Sequence, residues 1–299
     1  MKHCGFVSLI GAPNAGKSTL LNALLGTKVS IVCHKQQTTR TRVVGILTHE
    51  ETQAVLVDTP GIFQNPKQRL EKSMISSAWQ AVRDADLILL IVDASRVHME
   101  EEEKKILAAL KSKKKEAILV LNKVDLVPDK TKLLGKTKVF SEEATFDKVF
   151  MISAKSGQGL GELKEYIFGQ MPESEWFYPA DQVSDMPQRL LAEELTREVL
   201  LHEVHAEVPY GLTVRTDLWE KFENGSLKIV QTICVEREAH KPILVGKGGQ
   251  KIKRIGEQAR KEISRALGIK VHLMLHVKVD EKWKDRPESY QDLGLDFTS

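Results

Sequence analysis

The eight residues Gly11-Ala12-Pro13-Asn14-Ala15-Gly16-Lys17-Ser18 restrict what this chain can fold into more than any other stretch. An apolar run at residues 5–10 precedes them and reads as a buried strand. Residues 19–25, opening at Thr19, read as a helix. A strand, a glycine loop ending in Gly-Lys-Ser and a helix are the surroundings a phosphate cradle needs. The glycines let successive backbone N–H groups turn toward an anion, and the helix N-terminus adds partial positive charge. Lys17 is placed to reach outer phosphates, and the Ser18 hydroxyl to ligate magnesium. Alone, the loop indicates a nucleotide without saying which one.

At 299 residues the chain is long enough for two ordinary domains. No apolar run approaches the ~20 residues of a membrane span. The N-terminal apolar run is too short for a secretory signal. Cys4, Cys33 and Cys234 are scattered and odd in number. That pattern argues for a reducing, cytoplasmic setting and against a disulfide frame or zinc site. The net charge of +3 hides a strong asymmetry. Residues 173–240 hold 6 basic and 14 acidic side chains, whereas residues 241–285 hold 12 basic and 5 acidic ones. A short basic block beside an acidic one suits nucleic acid or another anionic surface.

The pattern predicts strands at residues 43–48, 53–57, 87–92, 117–121 and 148–152. Helices are expected at 67–81, 99–110, within 130–144, and at 160–168. Continuous apolar runs such as 87–92 mark strands covered on both faces. Strands alternating with helices define an α/β fold, a mostly parallel sheet with helices on both faces. Residues 172–187 break the periodicity and read as a linker. Trp176, Phe177 and Tyr178 within it are expected to dock between domains. A helix at 188–204, strands at 212–214 and 227–235, a helix at 250–267 and a strand at 270–279 follow. The expected division is 1–172, a linker 173–187, a second domain 188–285 and a tail 286–299.

The polar motifs fall just after strand carboxyl ends, where open α/β sheets bind ligands. Asp58-Thr59-Pro60-Gly61 lies at one such end. Asp58 is placed to hold magnesium through water, and the Gly61 N–H to sense a γ-phosphate. Asn122-Lys123-Val124-Asp125 is the discriminating motif. A carboxylate there accepts two hydrogen bonds from guanine N1–H and its exocyclic amine. Adenine lacks that donor pair, so a buried Asp125 would stay unpaired against it. Asn122 is expected on the base edge, Lys123 over the sugar, and the Ala154 N–H of Ser153-Ala154-Lys155 against the guanine carbonyl, with Ser153 shaping the turn.

The ordered set of motifs resembles the translation-factor-related P-loop GTPases, and more narrowly the Era-type family. The resemblance runs from about Phe6 to Trp283, with Gln37-Thr38-Thr39-Arg40 filling the switch loop. It implies GTP and GDP as ligands with Mg2+, and a loop threonine that closes on the metal beside Ser18 and Asp58. Thr39 is favoured for that role, with Thr38 the alternative. Lys17, Asn14, Thr39 and Gly61 are the residues implied in hydrolysis. Signalling GTPases place a glutamine after the DxxG glycine; here that position is Ile62, which cannot orient water. The resemblance further implies that Asn14 helps hold a potassium ion, K+, beside the phosphates.

Gly246-Lys247-Gly248-Gly249 opens the basic helix carrying Lys251, Lys253, Arg254, Arg260 and Lys261. A GxxG loop grips the nucleic-acid backbone in KH modules. The helix and strand order around it resembles an α+β type II KH domain. The family resemblance implies single-stranded RNA as partner, near the 3′ end of 16S ribosomal RNA. It also implies a monomeric role in assembling the 30S subunit, with room for peripheral association at the inner membrane. Lys282 and Lys284 flanking Trp283 suit either a membrane or RNA. A non-catalytic, GTP-liganded RNA-binding factor is the alternative, and a P-loop kinase or ATPase is disfavoured by Asn122 and Asp125. His202 and His205 lack further metal-ligating neighbours and read as surface or packing residues.

Overall fold

The computed structural model describes residues 1–35, 38–61, 69–205, 208–292 and 295. It divides into two compact units. The first comprises Met1–Ser30 and Thr39–Asp185, with Leu295 from the C-terminus. The second comprises Ile31–Thr38 and Met186–Asp292.

In the first unit the strands are β1 (His3–Ile10), β2 (Val43–His49), β3 (Thr52–Asp58), β4 (Leu87–Asp93), β5 (Ala117–Asn122) and β6 (Phe146–Met151). The helices are α1 (Lys17–Leu25), α2 (Arg69–Asp84), α3 (Glu101–Ser112), α4 (Thr131–Glu143) and α5 (Leu160–Gly169). They build one sheet in the order β2-β3-β1-β4-β5-β6, parallel except for the β2–β3 pair. The central strands are apolar along their length because both faces are covered: Leu89, Leu90, Ile91 and Val92 are fully buried. Alternate residues of β4 and β5 (Leu90, Val92, Leu119, Leu121) pack on Ala78 and Val82 of α2 and Ile106 of α3. The five parallel strands β1, β3, β4, β5 and β6 end on the same side of the sheet, so the polar residues that follow them gather there.

Residues 173–185 were expected as a linker with aromatics between domains. Instead they belong to the first unit and lie along its own sheet. Glu173 bridges to His3 and Ser184 to Gly45, and the Ile46 N–H donates to the Val183 carbonyl. Trp176 and Tyr178 pack with Phe6 on Cys4, Val44, Ile46 and Val55, and Phe177 stacks on Phe6. The physical reason is Gln53, a fully buried amide on β3. Its Oε1 accepts the Phe177 and Tyr178 N–H groups, and its Nε2 donates to the Tyr178 carbonyl. An extended segment with no apolar period is thereby given the hydrogen bonds it lacks internally.

The second unit has α6 (Gln188–Glu203), β7 (Leu212–Lys221), β8 (Leu227–Val235), α7 (His240–Val245), α8 (Gln250–Leu267), β9 (Val271–Val279) and α9 (Pro287–Asp292). The sheet order is β7-β8-β9, antiparallel then parallel. Ile255, Ala259 and Ile263 recur every four residues along α8 and are fully buried against the sheet, which leaves Lys253, Arg254 and Arg260 exposed on the opposite side. The tail expected at 286–299 begins with α9, whose Tyr290 is buried and donates its hydroxyl proton to the Lys284 carbonyl. Trp283 is buried as well, its indole N–H directed at the Gly211 carbonyl, and Lys284 pairs with Glu236. Trp283 and Lys284 therefore serve packing; neither offers a face to a membrane or to RNA.

Replacing Gln53 with alanine strips three linker backbone groups of their partner. The expected loss is about 2–3 kcal/mol of stability. Urea unfolding of the full chain measures it, and limited proteolysis should show cleavage within residues 173–185 in the variant before the wild type.

Candidate nucleotide site and GxxG surface

The phosphate loop leaves the end of β1 at Gly11. A Cβ there would sit 2.3 Å from the Ile91 carbonyl oxygen of β4, so only glycine lets the loop begin. Asn14 and Gly16 take left-handed conformations, with φ of 65° and 99°. Gly16 then caps the start of α1. Lys17 is buried, and its ammonium folds back to donate to the Gly11 and Ala12 carbonyls, both at 3.0 Å. Burial pushes its pKa down to about 8, with nearby Asp58 pulling the other way. The loop thus surrounds a desolvated cation that can exchange two carbonyls for anionic oxygens.

Ser18, in the first turn of α1, lies beside Asp58, the last residue of β3. The Ser18 Oγ donates to Asp58 Oδ2 at 2.6 Å and lies 2.9 Å from the Thr39 Oγ1. Since a hydroxyl has one proton, Thr39 donates in the second bond when Ser18 donates in the first. Asp58 is fully buried; burial raises its pKa, opposed by Lys17 and by hydrogen bonds from Ser18 and Ser30. Its Oδ1 is buried and has no hydrogen-bond partner among the described residues. An unpartnered carboxylate oxygen next to two hydroxyls is a donor set that fits a hard divalent cation. Of the two candidate threonines, it is Thr39 that reaches this corner. The Thr38 hydroxyl donates within its own loop, to the Lys35 carbonyl at 2.6 Å. Ser30 was not foreseen, having no signal beyond its place at the start of a polar loop; its Oγ donates to Asp58 Oδ2 at 3.1 Å. The Thr59 hydroxyl ties the Asp58 turn back to the Leu9 carbonyl, and Gly61 packs on Pro13, where a Cβ would come within 3.1 Å of its Cα. Gln37, Ile62 and Lys67 lie outside the described residues.

The third corner differs from expectation at Asn122, Lys123 and Ala154. Asn122 was expected on a base edge and the Ala154 N–H on a guanine carbonyl. The structure spends both inside the protein. Asn122 Nδ2 donates to the Ala15 carbonyl at 2.9 Å, and its Oδ1 accepts the N–H groups of Lys123 and Ala154. A buried amide needs all its partners, and the converging loops supply them. Asp125 stands exposed on the short turn Val124–Leu126, and Lys155 is exposed after it. Ser153 is buried, and its Oγ accepts the Ser156 N–H. Lys123, expected over a sugar, reaches the phosphate loop with its ammonium 2.7 Å from the Asn14 carbonyl and 2.6 Å from Asp93 Oδ2. Asp93 also was not foreseen. It is the polar residue that ends β4, as Asp58 ends β3 and Asn122 ends β5, and that shared position was the available signal.

In the second unit Gly246, Lys247, Gly248 and Gly249 join α7 to α8. Gly246, Gly248 and Gly249 all have positive φ. Nothing lies within 4 Å of a Cβ placed on Gly248 or Gly249, so the backbone there is open to close approach. Lys247 and Lys253 are exposed, and Lys251 is half-buried. Arg254 is exposed but already paired with Glu203 of α6. Ile243, just before the loop, keeps 44% of its surface exposed beside fully buried Leu244. The result is an apolar step at a cationic glycine turn.

A phosphate loop on a mostly parallel sheet and an α-β-β-α-α-β unit with GxxG between its second and third helices define a P-loop GTPase joined to a KH domain. Residues 6–123 match the family described as "50S ribosome-binding GTPase", and residues 207–284 match the KH domain family. The chain is 52% identical to the GTPase Era of Maricaulis maris, over 99% of this chain and 98% of that one. It is 51% identical to GTPase Era of Brucella suis, over 98% and 93%. Aquifex aeolicus Era crystallised with GDP.AlF4- superposes with a TM-score of 0.92 at 38% identity, covering 98% of this chain and 99% of that one. An Era structure in complex with MgGDPNP and nucleotides 1506-1542 of 16S ribosomal RNA gives the same values. The chain belongs to the Era family of GTPases.

At Gly16 the phosphate loop runs directly against the Asn122 side chain. A Cβ on Gly16 would lie 2.3 Å from Asn122 Nδ2, at a φ that L-residues avoid. Gly16→Ala is expected to weaken GDP binding by about tenfold or more, since the left-handed conformation alone costs about 1–2 kcal/mol. Isothermal titration with GDP checks this; unchanged affinity would show that the contact relaxes freely.

Proposed function

We propose that the first unit, Met1–Ser30 with Thr39–Asp185, binds GTP with Mg2+ and hydrolyses it to GDP and phosphate. We further propose that the second unit binds single-stranded RNA. The observation that carries the reading is the corner where Ser18, Thr39 and the unpartnered oxygen of Asp58 meet beside buried Lys17. Ser18, Thr39 and Asp58 hold the metal in this reading, and when bound it supplies positive charge to the phosphates. Lys17 turns from the Gly11 and Ala12 carbonyls to the outer phosphate oxygens. The backbone from Gly11 to Thr19, including Pro13 and Gly16, wraps the phosphate chain. Thr59, Pro60 and Gly61 form the turn whose glycine N–H meets the γ-phosphate. Asp125, exposed and able to accept two hydrogen bonds, reads guanine, while Lys123, Ser153, Ala154 and Lys155 shape the base pocket around it.

Asn14 supports a further element of this reading, K+ beside the phosphates. Its side-chain amide has no partner among the described residues, while its carbonyl is fixed by Lys123. A cation there would offset charge in the transition state, the service an arginine finger gives elsewhere. The RNA surface is Gly246, Lys247, Gly248, Gly249, Lys251, Lys253 and Arg254, where cations position phosphates and Ile243 meets a base. The Era complex with nucleotides of 16S ribosomal RNA supports the 3′ region of that RNA as ligand, and 30S subunit assembly as the role. The acting form in this reading is a cytoplasmic monomer. Among the described residues, no helix is long and apolar enough to cross a membrane.

Phosphate release from GTP is expected to fall by about a hundredfold or more in Lys17→Ala. Turnover no faster than in a protein-free control for the wild type would leave only a GTP-liganded binding factor. Turnover should be several-fold faster in potassium chloride than in sodium chloride at equal ionic strength, with the difference lost in Asn14→Asp. Equal rates in the two salts would remove the potassium element alone. For RNA, Lys247→Asp/Gly248→Asp should weaken binding of a 16S 3′-end oligonucleotide by about tenfold or more and flatten its salt dependence.

A further inference from the structure

We propose that Asp93 is a positioning residue for the nucleotide site: through Lys123 it fixes the backbone of the phosphate loop at Asn14. The inference rests on the nucleotide reading above and assigns a role to a side chain outside the motifs read from the sequence.

The peptide bond is planar, so a carbonyl and the next N–H point in opposite directions. Fixing the Asn14 carbonyl therefore aims the Ala15 N–H, and fixing the Ala15 carbonyl aims the Gly16 N–H. Asn122 Nδ2 holds the Ala15 carbonyl, and Lys123 Nζ holds the Asn14 carbonyl. The Ala15 N–H faces across the loop, with a long contact of 3.3 Å to the Ala12 carbonyl. Two consecutive N–H groups of the phosphate cradle are thus directed by the two residues that open the base loop. Asn122 is rigid and buried. Lys123 is a flexible four-carbon stem, and one carbonyl does not hold its ammonium in place.

Asp93 supplies what is missing. Its Oδ2 lies 2.6 Å from Lys123 Nζ, and its side chain is only 8% exposed. The carboxylate is itself fixed, with Oδ1 accepting the Ser95 N–H at 3.0 Å and the Ser95 hydroxyl at 2.6 Å. Its Cα pairs with that of Asn122 across β4 and β5, and the Ala94 N–H donates to the Asn122 carbonyl. Lys136 from α4 donates to the Asp93 and Arg96 carbonyls and holds the turn that follows. Burial disfavours the charged carboxylate, yet the bonds from Lys123 and Ser95 outweigh it and keep its pKa below the usual range. Asn14 meanwhile sits at a φ of 65°, a left-handed conformation that asparagine tolerates.

The alternative is that Asp93 acts only through its charge, and the two roles have opposite signs. A negative charge near bound phosphates repels them, so its removal would tighten nucleotide binding. A lost anchor would loosen it. In the full-length protein, Asp93→Asn keeps an acceptor for Ser95 but removes the charge facing Lys123. Its Kd for a fluorescent GDP analogue is expected to rise by about tenfold, mostly through faster dissociation. Lys123→Met should do the same, and the double variant should be no worse than the poorer single one, because both break one link. Ser95→Ala, at an exposed position, should raise Kd by about threefold by freeing the carboxylate, and it keeps the test available should Asp93→Asn fail to fold. Tighter or unchanged binding in Asp93→Asn, or losses that multiply in the double variant, would overturn the proposal. Absence of GDP binding by the wild type would instead overturn the nucleotide reading on which it rests.

Discussion

The buried Asn122 side chain is the contact on which the first unit's site depends. It ends β5, yet its amide bonds the Ala15 carbonyl of the phosphate loop, its own neighbour Lys123 and the Ala154 turn after β6. Gly16 lacks a Cβ at the point where one would strike that amide. Three loops that are distant in sequence are therefore set by one side chain. Such a network is cooperative: each bond forms in a low dielectric, and losing one partner leaves the others buried and unpaired. The phosphate loop is not an independent motif that the sheet merely carries. Its shape is imposed from the base side.

The electrostatics point the same way. Lys17 and Asp58 are both buried, and burial moves each toward its neutral form, Lys17 down and Asp58 up. Their mutual attraction opposes the shift without cancelling it. Lys17 occupies itself with backbone carbonyls, and one Asp58 oxygen is left without a partner. A polyphosphate with a divalent cation complements both defects, giving the ammonium anionic oxygens and the carboxylate a cation.

Much of this was legible in the chain itself. The strands of the first sheet announce themselves because burial on both faces demands unbroken apolar runs, and their polar ends mark the site. What escaped has physical reasons. The docking of residues 173–185 leaves no periodic trace, because it depends on backbone hydrogen bonds to Gln53 and on aromatics meeting a sheet rather than on a repeating face. β7 runs to Lys221 although only its first residues read as strand, since its far half, Asp217 to Lys221, is mostly exposed and does not alternate apolar with polar. Asn122 and Ala154 were assigned to a base by motif type, but the motif does not say which atoms the protein consumes. Asp93 and Ser30 were missed because a single acid or serine at a loop start has no pattern of its own. Only the fold shows that Asp93 ends a strand in register with Asn122.

Both units place glycines before a helix, and the two turns differ in what surrounds them. In the first unit a Cβ on Gly11 or Gly16 would lie 2.3 Å from the Ile91 carbonyl oxygen or the Asn122 amide nitrogen, so their missing side chains make room for the protein itself. That closes the loop around a small, dense anion. In the second unit Gly248 and Gly249 face open space, and their missing side chains make room for something outside. That suits an extended backbone lying along the helix start, with Lys247 and Lys253 free to follow it. The same residue and the same helix-end charge thus give a closed cradle in one unit and an open rail in the other. The difference comes from the packing on the far side of each glycine, which no local motif encodes.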